Sequence, residues 1–244
     1  MRKLKRVLCL GLSILLCIIS SVTVLAATPT YDTMARIKVQ MDKINNQDKQ
    51  NITAYKRNLN DISSMERVTY QPTLVLMTDT LSDKDLQFYA SMTDEEIYNY
   101  LLESYKKATI DIQKANNNNH SYLMQPIGNS GATARSLAST TQTRHYYFNA
   151  PITDALGYCK MDVTYQVSYA NNRFTSGNVI SCEEDTYVSV ARWTMEASHT
   201  YPLIETNDGE YIAFQVSGYW LAGVDHGVGA KYPAWYDFVD ESPY

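Results

Sequence analysis

Asp225 and His226 stand side by side inside the stretch Gly223 to Gly229, where Gly223, Gly227 and Gly229 give the backbone unusual freedom. A histidine beside a carboxylate can act as the base for a serine or cysteine nucleophile. That chemistry needs the base within hydrogen-bond reach and an acid to orient it. Cys159 or one of many serines could be the nucleophile. No Gly-x-Ser-x-Gly segment occurs, and no peptidase pattern flanks a cysteine. The competing account is a polar turn between two strands. The pattern assigns no catalytic residue.

The other histidines, His120, His145 and His199, stand alone, with no His-x-x-x-His pair and no second cysteine pair to suggest zinc. Glu183 to Asp185 and Asp237 to Glu241 could offer oxygen ligands, but neither follows the spaced pattern of a calcium loop. No metal and no cofactor is implied. Cys159 and Cys182 flank the turn Asn171-Asn172 and are expected to form a disulfide. A hairpin centred on that turn sets them two residues out of register, which a bulge could absorb. Closing that loop would stabilise the fold by roughly 3 kcal/mol.

Twenty tyrosines and three tryptophans give the chain its most unusual composition, densest from Tyr146 onward. Their wide, rigid, polar-tipped rings suit sugar rings or protein partners. They also suit strands, by β-propensity alone. On the segment Ile212 to Trp220, Tyr219 is out of phase with Ile212, Phe214, Val216 and Trp220. Trp235 is likewise out of phase with Tyr232, Tyr236 and Phe238. These two are the candidate binding residues, brought together if the segments pair across the loop Gly223 to Gly229.

The elements that must position these residues follow from composition and period. Residues 1–27 have the layout of a secretory signal: Arg2, Lys3, Lys5 and Arg6, an uncharged apolar run, then Ala26-Ala27. Without those four basic residues, 17 Lys and Arg face 26 Asp and Glu, a net charge of −9. So acidic a chain repels phosphate backbones, which argues against nucleic acid as partner. After signal cleavage no membrane span is expected.

Residues 28–115 read as a helical region. Met34, Ile37, Met41 and Ile44 form one stripe, and Ile52, Tyr55, Leu59 and Ile62 repeat it. Val68 to Met77, with Pro72 inside, reads as a short extended piece. Ser82 can cap a turn of helix, and Thr93 with Glu96 forms a capping box before the face Ile97, Leu101, Tyr105, Ala108 and Ile112. Residues 116–144 have the composition of a polar linker, with Arg135 and Arg144 as protease sites. Residues 145–244 alternate with period two and carry Asn-rich turns, as an antiparallel β domain does. A phase slip between Val188-Val190 and Trp193-Met195 calls for a bulge near Ala191-Arg192.

The expected fold class is α+β: an N-terminal helical region followed by a C-terminal antiparallel β-sandwich or barrel-like domain. The expected function is that of a secreted or envelope-exterior binding protein, not an enzyme, that contacts a cell-surface protein or glycan through its aromatic β domain. An antimicrobial, bacteriocin-like or toxin-like protein is a special case. The alternative is a small secreted hydrolase using His226 and Asp225.

Overall fold

The structure, a computed structural model, describes residues 29–58, 61–118, 140–171, 173–185, 191–201 and 209–241. The signal, the centre of the linker and Asn172 of the predicted turn lie outside the described residues. The chain folds as helices plus antiparallel sheets, an α+β arrangement with a sandwich-like C-terminal half.

Helix α1 (Pro29–Gln47) buries Ile37, Met41 and Ile44 of the predicted stripe and leaves Met34 half-buried. Helix α2 (Asp83–Ala90) starts at Ser82, whose hydroxyl accepts from the Asp85 amide while Asp85 accepts from the Ser82 amide. Helix α3 (Asp94–Asn118) opens on the same reciprocal pairing between Thr93 and Glu96. Each box satisfies amides that a helix start leaves without partners. Ile97, Leu101 and Tyr105 of α3 join Ile37, Met41 and Ile44 of α1 in one apolar cluster.

Between α1 and α2 the sequence reading needs correction. The Ile52 stripe is not helical: β1 (Ile52–Asn58) and β2 (Asp61–Tyr70) pair as an antiparallel hairpin. Spacing alone allowed a helix, but Ile52, Thr53, Tyr55, Val68, Thr69 and Tyr70 are β-branched or aromatic and favour a strand. Helix α3 then fixes the hairpin, since the Gln113 side chain accepts from Thr53 N at 2.8 Å and donates to Thr53 O at 3.0 Å. Pro72 separates β2 from β3 (Thr73–Leu76).

The C-terminal strands are β4 (Thr140–Thr153), β5 (Gly157–Ala170), β6 (Arg173–Glu184), β7 (Ala191–Tyr201), β8 (Tyr211–Asp225) and β9 (Val228–Glu241). They form two sheets, ordered β4-β5-β6 and β3-β9-β8-β7. Met161, Val163, Tyr165 and Val167 face Ile212, Phe214, Val216 and Phe238 across one core. Rings dominate it: Tyr146 stacks on Phe238 at 4.7 Å, and Phe214 on Phe238 at 4.9 Å. Tyr165, Tyr232 and Tyr236 bury their bodies there and donate their hydroxyls to Asp240, to Ile152 O and to Pro151 O. These three tyrosines are therefore core residues with the polar tip satisfied.

On β7 a bulge lies between Met195 and Ala197, while Val188 and Val190, from which a bulge near Ala191-Arg192 is expected, lie outside the described residues. The bulge sits against Gly218, where a Cβ would come within 2.1 Å of Thr194 O, so only glycine allows that approach. Arg144 is not a linker residue: it lies on β4 with its side chain 9% exposed, paired to Asp240 at 2.7 Å.

Candidate functional site

Tyr219 and Trp235 share one face of the β8–β9 ladder, because Tyr219 opposes Pro233 and Trp235 opposes Ser217. Both are half-buried, while Trp220, Tyr232, Tyr236 and Phe238 are in the core, which settles the phase question for both strands. Lys231 Nζ lies 3.6 Å from the centre of the Tyr219 ring, and Lys56 Nζ 5.9 Å from that of Trp235. The β1–β2 hairpin reaches this outer face at Trp235 and Asp237. Tyr70 meets the Trp235 ring edge-on at 6.3 Å. Beneath the hairpin, buried Gln215 donates to Asp237 at 3.1 Å, and Arg57 reaches Asp237 at 3.9 Å. Sequence phase set Trp235 against Tyr232, Tyr236 and Phe238 without saying which lay off the core, and it could not show the hairpin lying beside Trp235.

His226 occupies the β8–β9 turn with φ of 41°, a left-handed backbone angle uncommon for a residue with a side chain. Its Nδ1 lies 2.8 Å from Asp85 of α2, and its Nε2 lies 3.7 Å from Asp225. The imidazole stacks on Phe88 with centres 4.1 Å apart. Tyr100 of α3 donates to the other oxygen of Asp225. Ser82 Oγ donates to Asp85 at 2.6 Å. That hydroxyl bond, ahead of the contribution from His226, holds the Asp85 carboxyl below the usual carboxylate range. Burial, then Asp225, pushes the Tyr100 phenol up.

The orienting acid on Nδ1 is thus Asp85, not the neighbouring Asp225. Both ring nitrogens look toward carboxylates, and the network ties the turn to α2 through Asp85 and Phe88 and to α3 through Tyr100. Ser82, whose hydroxyl joins this network, is committed to Asp85. Asp85 and Tyr100 are partners that the sequence reading did not name. They lie 141 and 125 residues from the groups they meet, and no local pattern marks them.

The acidic runs are likewise absorbed by structure. Glu184 accepts from Trp193 N, Asp185 pairs with Lys160, Asp237 with Arg57 and Asp240 with Arg144. His145 lies 3.1 Å from Asp162 on the outer face of the β4–β5 ladder.

Cys159 and Cys182 are not joined: both are buried thiols. Shifts between Thr164/Tyr165 and Ser168/Tyr169 move the β5–β6 register, so that Cys182 opposes Val163. The bulges move it away from the direction a disulfide needs. Cys159 sits four residues along β5, or about 13 Å at the usual rise, well beyond the span of an S–S bridge. Burial pushes the Cys182 thiol up to about 12. Neither thiol is therefore expected to react with an aromatic disulfide reagent in the folded chain, and both should react after unfolding. A cross-linked Cys159–Cys182 peptide in a non-reducing digest would contradict this.

No family model, no curated protein and no solved structure matches the chain. Among the described residues, no helix is long and apolar enough to cross a membrane.

Proposed function

We propose that this chain is an exported, non-enzymatic binding protein that meets a cell-surface protein or glycan through the Tyr219–Trp235 face. The observation that carries the reading is two half-exposed rings on one rigid ladder, each with a lysine beside it, Lys231 of the ladder at Tyr219 and Lys56 of β1 at Trp235. Aromatic anchors on a fixed scaffold give broad contact at small entropic cost. Lys56 is paired with Glu66, and Lys231 adds preference for a partner with acidic groups beside its apolar surface. An antimicrobial or toxin-like action is one form that such binding takes.

The experiment is retention of the protein on intact cells, measured beside a melting curve. Tyr219→Ala is expected to weaken retention about tenfold, the loss of ~1.4 kcal/mol, with the melting temperature nearly unchanged. Trp235→Ala should lower both, because its ring also packs on Tyr70. Retention unchanged in both variants would overturn the reading. It would turn attention to the hydrolase alternative, in which Asp85 orients His226.

A further inference from the structure

One side chain bonds both backbone groups of Leu74 on β3. Asn45 Oδ1 of α1 accepts from Leu74 N at 2.8 Å, and Asn45 Nδ2 donates to Leu74 O at 3.0 Å. On the other side β3 pairs with β9, Leu74 opposite Ala230, and Met77 N donates to Gly227 O at 2.9 Å. Alternate residues of an antiparallel strand bond to opposite sides. Thr73, Val75 and Met77 therefore bond toward β9, and Leu74 bonds away from it. β3 is the edge of its four-stranded sheet, so Asn45 stands where the next strand would run.

Gln113 of α3 does the same for β1. Its amide accepts from Thr53 N and donates to Thr53 O, while Thr53 opposes Thr69 on the other side. A carboxamide offers one acceptor and a donor side by side, as a peptide group does. Two helices thus close two sheet edges by the same means.

The closed stretches are the ones without charge. Thr73-Leu74-Val75-Leu76 has no ionisable carboxylate or cation, and neither has Ile52-Thr53-Ala54-Tyr55, where Gln113 sits. β2, the other strand of the hairpin, carries exposed Glu66 and Arg67. Charged edges resist pairing with another chain, whereas apolar edges invite it unless a helix or loop covers them. Thr73 to Leu76 is strand-favouring and uncharged, the composition that pairs with its own kind. We propose that Asn45 is an autoinhibitory cap that keeps β3 from pairing antiparallel with β3 of a second copy, with Gln113 its counterpart on β1. This role does not depend on the Tyr219–Trp235 face.

One test needs no variant. In amide hydrogen exchange of the full chain, Leu74 and Thr53 should be protected to within about tenfold of Val75 and Ala54, which bond inside their ladders. Exchange of Leu74 at the rate of an open strand edge would overturn the proposal. The second test is light scattering over a range of concentration on Asn45→Leu, which keeps the size of the side chain and loses both bonds. It should self-associate at least about tenfold more tightly than the unmodified chain. Thr73→Glu sets a charge on this edge, at an exposed position opposite Lys231. Added to Asn45→Leu, it should restore the mass of the unmodified chain while the melting temperature stays at the lower value of Asn45→Leu. A cap that served stability alone would lower the melting temperature and leave association unchanged. That result, or association that Thr73→Glu does not relieve, sinks the idea. Should Asn45→Leu fail to fold, Asn45→Asp replaces it, since it keeps the acceptor for Leu74 N and loses only the donor, and the same two outcomes decide.

Discussion

Arg144→Met is expected to destabilise the fold by about 3–5 kcal/mol, because it strands a buried carboxylate. Asp240 is 8% exposed in its side chain, and it accepts from Arg144 at 2.7 Å and from Tyr165 at 2.8 Å. The rings of Tyr169 and Phe174 each lie 5.8 Å from the guanidinium, so water has little room to replace it. The pair itself need not be net stabilising, since desolvating two charges offsets most of their attraction. That distinction is measurable by chemical denaturation. Arg144→Met with Asp240→Leu should recover part of the loss, leaving the Tyr165 hydroxyl without its acceptor at about 1–3 kcal/mol. Adding Tyr165→Phe should recover most of the remainder. A single Arg144→Met within about 1 kcal/mol of the parent would mean that Asp240 keeps its water and is not a buried charge.

Trp220→Ala should cost a similar amount, about 3–5 kcal/mol, through a cavity rather than a charge. Trp220 is fully buried, and its ring centre lies 5.5 Å from that of Trp193. Its Nε1 donates to the Tyr236 hydroxyl at 2.6 Å. Trp220→Phe isolates the second contribution, since it keeps an aromatic ring but loses the donor. It should cost about 1–2 kcal/mol, and Tyr236 would keep Pro151 O as acceptor. Thermal unfolding followed by near-UV circular dichroism reads both variants. Equal losses for Ala and Phe would show that the hydrogen bond outweighs the packing.

What the sequence made legible was local. The stripe on α1, both helix starts and the alternation on β5 depend on residues a few positions apart, and each was readable. The β1–β2 hairpin was not, because a stripe at helical spacing can coexist with strand-favouring side chains, and Gln113 from a distant helix helps decide the outcome. Arg144 was misread because a window of polar composition cannot see a single carboxylate nearly a hundred residues away, at Asp240. The cysteines were misread because bulges on one strand shift register without any marked residue to betray them. At the turn, Asp225 and His226 were picked out correctly as a polar pair. Their partners Asp85 and Tyr100 come from other elements, so the network could be described only after folding.

Each sheet neighbour pair within β4 to β9 joins strands consecutive in the chain, so those ladders can close soon after they are made. β3 is different. Its four residues pair with β9, Leu76 opposite Val228, with some 150 residues of chain between them. At ordinary elongation rates of about 5–20 residues per second, β3 leaves the ribosome roughly eight to thirty seconds before its partner exists. Through that interval Leu74 must stay sheltered by the helices alone, in the cluster it shares with Ile37, Leu101 and Tyr105. The helical layer therefore acts as a temporary guardian of an unpaired edge, and β9, made long after it, is the strand that relieves it.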